Sequence, residues 1–220
     1  MNAIQIDNLS KEIKGISILQ NINIAIQEGL ICGLVGRNAS GKSMLFKCVV
    51  DLNIYNTGKI QYFGKHREEN LKWRDDVSAL IEYPGFISNL SGYQNLKLLS
   101  SIRNTADDKH IKNLMLELGL DPDDKKVYKK YSLGMRQKLG VVSALMEKSK
   151  LIILDEPTNN VDEDSAKTII ELIKRFNKEY RITFFITSHN MEEIVNVCDK
   201  IYVIENGIVA ERKIAHVQDD

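Results

Sequence analysis

The stretch that most constrains this chain is residues 30–45, LICGLVGRNASGKSML. An almost wholly apolar run ends at Gly36, and Gly41-Lys42-Ser43 then opens a helix-like segment. Residues 36–43 therefore fit the phosphate-loop pattern G-x-x-x-x-G-K-S, the Walker A motif. Glycines let the backbone N–H groups turn inward, and the positive end of the following helix dipole faces the same point, so the loop is a cradle for phosphate. Gly36, Arg37, Asn38, Ala39, Ser40, Gly41 and Met44 are candidate nucleotide contacts. Lys42 would reach the β- and γ-phosphates, and the Ser43 hydroxyl would ligate Mg²⁺.

A second phosphate motif spans residues 151–158. Leu151-Ile152-Ile153-Leu154 is a run of large aliphatics typical of a strand covered on both faces, and Asp155-Glu156-Pro157-Thr158 follows it. This is a Walker B pattern. Asp155 would hold the Mg²⁺, through water, because that ion keeps much of its hydration shell. Glu156, one residue on, would orient and polarise the attacking water as general base.

Around these motifs the pattern alternates strands and helices. Ile4 and Ile6, then Ile18, Ile22, Ile24 and Ile26, predict an antiparallel pair turning at Lys14-Gly15. Strands are expected over residues 30–35, 58–63, 77–81, 151–154, 182–186, 201–204 and 208–212, the last two around Asn206-Gly207. Helices are expected over 41–50, 68–74, 163–180 and 191–197, with another after Ser132 carrying Leu139, Val142 and Met146. Between residues 84 and 131 leucines and isoleucines recur at helical spacing with few β-branched residues, which reads as a helical insert with boundaries at Asn89 and residues 104–107. Residues 121–130, of mixed charge, read as a solvated loop.

With 220 residues, 43% apolar and 27% charged, the chain is ordinary for a globular protein. Its 30 basic and 30 acidic side chains cancel, so no global field draws it to nucleic acid or an anionic membrane. Cys32, Cys48 and Cys198 show no C-x-x-C spacing and read as buried thiols. No apolar run approaches the ~20 residues needed to cross a bilayer, and residues 1–7 do not resemble a signal peptide, so a cytosolic chain is expected.

Between the two Walker motifs lies Tyr131-Ser132-Leu133-Gly134-Met135-Arg136-Gln137-Lys138, which resembles the signature motif of ATP-binding cassette (ABC) ATPases, commonly Leu-Ser-Gly-Gly-Gln. Asn160-Val161-Asp162 resembles the family's aspartate loop, and Thr187-Ser188-His189 its switch histidine. The resemblance implies an α/β fold: a P-loop NTPase core with a mostly parallel sheet, an N-terminal antiparallel β-subdomain and an inserted α-helical subdomain over about 84–146, in one domain spanning residues 1–220. It also implies two cassettes head to tail, each ATP held by the Walker motifs of one and by Ser132, Gly134 and Asp162 of the other. His189 would contact the γ-phosphate or orient Glu156 and its water.

Three departures from the family's commonest pattern refine this. Glu82 stands where most cassettes have a metal-region glutamine, and residues 80–96 resemble the glutamate loop of cassettes for bacitracin resistance or lantibiotic self-protection. Leu133 and Met135 replace signature glycine and glutamine. Ile13 stands where the family usually stacks an aromatic ring on adenine, an interaction worth ~1–3 kcal/mol. The implied function is an ATP-hydrolysing subunit, using ATP and Mg²⁺, at the cytoplasmic face of the cell membrane. It would work as a homodimer beneath integral-membrane permease subunits, with no nucleic-acid partner, and export antimicrobial peptides. A different cargo (lipid, drug or other peptide) is the alternative. Soluble ABC ATPases of repair or translation carry a long coiled coil or two cassettes, neither of which this sequence shows.

Overall fold

Two twelve-residue strands, β1 (Asn2–Ile13) and β2 (Ile16–Gln27), pair antiparallel around Lys14-Gly15, whose φ angles of 51° and 79° are those of a tight hairpin turn. The structure, a computed structural model, describes residues 1–66, 75–82, 84–103 and 106–212. β4 (Thr57–Tyr62) adds to β1 and β5 (Lys65–His66) to β4, giving an antiparallel sheet in the order β2-β1-β4-β5.

The second sheet runs β10-β9-β3-β8-β7-β6. Its strands β3 (Ile31–Val35), β6 (Val77–Leu80), β7 (Leu151–Leu154), β8 (Thr183–Ser188) and β9 (Lys200–Glu205) are parallel, and β10 (Ile208–Arg212) closes one edge antiparallel. Every residue of β3, β7 and β8 is buried, as continuous aliphatic runs require when both faces are covered. Alternate residues of β7 serve two cores: Leu151 and Ile153 pack with α1 (Lys42–Val49) and the antiparallel sheet, while Ile152 and Leu154 pack with the helical side. There α5 (Glu163–Tyr180) buries Ile169, Leu172, Ile173 and Phe176 at helical spacing, each side chain contributing about 1.5–3 kcal/mol.

The helical insert comprises α2 (Gly92–Arg103) and α3 (Asp108–Glu117), leading to α4 (Leu133–Leu145). α2 starts from a reciprocal cap: the Gln94 N–H donates to Ser91 Oγ at 3.2 Å, and the Ser91 N–H to Gln94 Oε1 at 2.9 Å. The expected boundary at Asn89 is thus two residues early, because Ser91 has the glutamine three positions on and Asn89 does not. Asp107 caps α3 by accepting from the His110 N–H. Residues 121–130 are not simply a solvated loop: Tyr128–Lys130 forms a 3₁₀ turn, and Tyr128 is buried against Phe86 and Tyr131. A tyrosine with two aromatic neighbours outweighs the charged residues beside it. The parallel strand expected over 182–186 extends to Ser188, and the helix expected over 191–197, now α6 (Met191–Val195), is shorter. The three cysteines are free and buried, and burial pushes the thiols of Cys32 and Cys198 well up. The helix expected over 68–74, Tyr83 of the glutamate loop and Asn104 lie outside the described residues.

The β9–β10 turn supports the phosphate loop from below. The Gly207 N–H donates to the Ser40 carbonyl at 3.2 Å, and the Gly207 carbonyl accepts from the Gln20 N–H at 2.8 Å, so one turn ties the loop to β2. Gly207 has φ +76°, and a Cβ there would lie 2.2 Å from the Ile18 carbonyl oxygen. Gly207→Ala is expected to destabilise the protein by about 1–3 kcal/mol, read as a lower urea midpoint at unchanged slope; an unshifted midpoint contradicts this tie.

Candidate active site

The site lies where strands β3, β7 and β8 end, because parallel strands deliver their following loops to one edge of the sheet. β3 stops at Val35, the loop crosses above β9, and α1 starts at Lys42. The crossing is close: a Cβ on Gly36 would sit 2.4 Å from the Ile204 carbonyl oxygen. Ala39 and Gly41 both take positive φ, 63° and 109°, which curls the loop, and Arg37, Asn38 and Ala39 are exposed along its outer side. Met44 is half-buried on the first turn of α1 and packs against the core beneath.

Lys42 is the buried cation of the site, with 5% of its surface exposed. Its Nζ donates to the carbonyls of Gly36 at 2.7 Å and Arg37 at 3.2 Å, and stands 3.3 Å from Glu156 Oε1. An ammonium can be this deep only because three oxygens compensate it. The other oxygen of Glu156 is 3.4 Å from His189 Nδ1 and accepts from Asn159 Nδ2 at 3.2 Å. Glu156 thus joins the phosphate loop to the end of β8.

Two residues to which the sequence patterns gave no role hold this pair of carboxylates. The Thr187 hydroxyl donates to Asp155 Oδ1 at 2.7 Å and accepts from the Glu156 N–H at 2.8 Å, locking two consecutive residues of one strand end to the neighbouring strand. Gln137 Nε2 donates to the carbonyls of Glu156 and Pro157 at 3.0 and 3.2 Å, which attaches α4 to the same turn. Thr187 sits two residues before His189 and Gln137 five after Ser132, so proximity to those motifs was the only signal available. The backbone here is strained: Glu82, Glu156 and Asn160 have φ of 56°, 47° and 60°. Non-glycine residues persist in that region only where their surroundings over-determine it.

A cavity of about 320 Å³ is lined by Ser43, Glu82, Gln137, Asp155, Glu156, Asn159 and Asn160, so the structure brings together all three residues expected at a metal. Their hydroxyl and carboxylate oxygens are the hard donor set that suits Mg²⁺. His189 lines an adjoining cavity with Glu156. Ser132 and Gly134 line neither of the two. Ser132 is exposed at the N-terminus of α4, where its Oγ accepts from the Met135 N–H at 3.2 Å, and Gly134 packs close to the Asn160 carbonyl. Ile13 is half-exposed at the tip of β1, on the hairpin whose second strand passes over Gly41 at Leu19. Asp162 is engaged locally: it caps α5, accepting from the Ser165 N–H and hydroxyl, with Lys138 Nζ 3.5 Å away.

A glycine loop between a buried parallel strand and a helix, a lysine sunk in it, and an acidic pair ending a nearby parallel strand define a P-loop nucleotide-binding protein. The family model described as ABC transporter matches residues 19–159, more than half of the sequence, and the chain belongs to that family as an ATP-binding, ATP-hydrolysing subunit. It is 35% identical over 209 residues to the bacitracin transport ATP-binding protein BcrA of Enterococcus faecalis, covering 94% of this chain and 68% of that protein. It is 34% identical over 211 residues to the lantibiotic transport ATP-binding protein SrtF of Streptococcus pyogenes, covering 96% and 90%. Among solved structures, an ATP-binding subunit of an ABC transporter superposes with a TM-score of 0.86 at 21% identity, covering 96% of this chain and 90% of that one. The dimeric post-hydrolysis cassette MJ0796 bound to ADP and Pi does so at 0.84 and 22%, covering 96% and 98%. These two likenesses bear on the fold.

The hydrogen bonds from Ser165 first, then the nearby Lys138 ammonium, lower the Asp162 carboxyl to about 2. Its unfolded-state value is near 3.8, so this cap stabilises the fold fully above that value and is lost as pH falls through about 2. Carbon-detected NMR of the carboxyl should find its midpoint near pH 2; a midpoint near 3.8 contradicts the capping geometry.

Proposed function

We propose that this chain powers an exporter that clears antimicrobial peptides, bacitracin-like or lantibiotic, from the membrane. The similarity to bacitracin and lantibiotic transport proteins along nearly the whole chain carries this reading. Glu82 in the metal-side cavity, where most cassettes have glutamine, agrees with it. The chain acts as one ATPase domain whose helical insert spans about 84–146.

In this reading ATP lies along residues 36–44, with its γ-phosphate on Lys42. Ser43, Asp155 and Glu82 would hold Mg²⁺, which would neutralise charge developing on the phosphates. Glu156 takes a proton from water as the water oxygen attacks γ-phosphorus, and the bond to the bridging oxygen breaks to leave ADP. His189, beside Glu156 Oε2, orients that carboxylate or touches the phosphate. Thr187 and Gln137 keep Glu156 in place through its backbone.

Ser132 and Gly134 do not line their own chain's cavity, which suits a homodimer in which a second copy presents its α4 N-terminus, hydroxyl and helix dipole to the γ-phosphate. The helix-capping duty of Asp162 would then fix the loop that carries this contact. Loss of the γ-phosphate releases the pair, and the separation drives the permease. Attachment to the cytoplasmic face runs through permease subunits; no helix among the described residues is long and apolar enough to cross a membrane. A permease's cytoplasmic helix would seat in the groove near Glu82 and Phe86 and against the helical insert.

The test is complementation. A strain lacking this gene and its neighbouring permease gene should become sensitive to a panel of cell-envelope peptides. The pair should restore resistance with the wild-type chain and fail with Glu156→Gln, although that variant still binds ATP and accumulates as an ATP-bound dimer. Unchanged peptide sensitivity on deletion overturns the export reading, and unchanged hydrolysis by Glu156→Gln removes that residue from the chemistry.

A further inference from the structure

The cavity beside Ser43 has three carboxylates on its wall, Glu82, Asp155 and Glu156. Two of them hold an ammonium each. Lys42 reaches Glu156, and Lys47 Nζ lies 2.5 Å from Glu82 Oε1. Asp155 has the Thr187 hydroxyl instead. Lys47 is four residues after Ser43 on α1, so the two side chains share one face of that helix. Glu82 is two residues beyond the end of β6, at left-handed φ of 56°, and Leu80 at that end accepts the Asp155 N–H at 2.8 Å. The helix and the strand end together place a cation beside a carboxylate at the mouth of the metal-side cavity.

We propose that Lys47 and the divalent cation compete for Glu82, which makes Lys47 a positioning residue that sets the cation affinity of this site. The inference rests on the proposed assignment of Ser43, Asp155 and Glu82 to Mg²⁺. A glutamine at position 82 would carry no charge to compensate and would give Lys47 nothing to compete for. The glutamate adds a full negative charge to a wall that already has two, and Lys47 neutralises it. The pair is half-exposed, with 58% of the Glu82 side chain open to solvent, so it is weak enough to exchange. When a divalent cation arrives with nucleotide, Glu82 turns from Lys47 toward the cation side of the cavity; when it leaves, the ion pair re-forms.

The experiment measures Mn²⁺ binding by electron paramagnetic resonance, in the full chain saturated with a non-hydrolysable ATP analogue. Lys47→Met should tighten Mn²⁺ by up to about fivefold, the upper end for a partly exposed ion pair. Lys47→Arg should stay near wild type and Glu82→Gln should weaken binding. In the Glu82→Gln background, Lys47→Met should have no further effect. Equal Mn²⁺ affinity in Lys47→Met and wild type overturns the proposal, as does a Lys47→Met effect that survives in Glu82→Gln. Metal-free analogue affinity, measured in parallel, separates the two levels. If the analogue binds and only the Lys47 effect is missing, competition alone fails; if neither analogue nor Mn²⁺ binds to any variant, the nucleotide site fails with it.

Discussion

The compensation of one buried ammonium governs the geometry of this protein's working edge. Lys42 can sit within the phosphate loop only because Gly36 and Arg37 turn their carbonyls onto it and Glu156 brings a carboxylate from the next strand but one. Without those oxygens its desolvation would cost several kcal/mol. The requirement reaches outward. Gly36 must be small because the loop passes within van der Waals range of Ile204, Gly207 must be small because its turn holds Ser40, and Glu156 must accept a left-handed backbone to face inward.

The rest of the fold keeps those parts rigid. β3, β7 and β8 are buried end to end, so the loops that follow them have little freedom to separate. Thr187 converts that rigidity into side-chain position by bonding both Asp155 and Glu156 across the β7–β8 boundary. Gln137 extends the same connection to α4, whose N-terminal Ser132 does not line its own chain's cavity. A displacement of α4 is therefore felt at the Glu156 carbonyl, which gives the helical insert a physical link to the turn that carries Glu156.

Most of the scaffold was legible because its signals are local. The all-apolar runs of β3 and β7, the hairpin turns at Lys14-Gly15 and Asn206-Gly207, and the amphipathic α5, expected at the bounds observed, each follow from a few adjacent residues. The Walker patterns were visible for the same reason, and the structure gathers Ser43, Glu82, Asp155 and Glu156 around one cavity. What escaped depends on contacts between distant segments. Tyr128 is buried by Phe86, forty-two residues away, in a stretch whose charges suggested solvent. Thr187 and Gln137 act through partners on other elements, 31 and 19 residues distant. Asp162, expected at the nucleotide of a second copy, also caps α5 through Ser165; a helix start with Asp three positions before Ser was there to be noticed.

The most direct measurement is a crystal structure of the chain with a non-hydrolysable ATP analogue and Mg²⁺. The γ-phosphate is expected within hydrogen-bond reach of Lys42 Nζ, with residues 36–43 keeping their present backbone path and Glu156 facing the terminal phosphate. A nucleotide bound elsewhere, or a loop that must refold to admit it, would contradict the role given to Lys42 and its cradle.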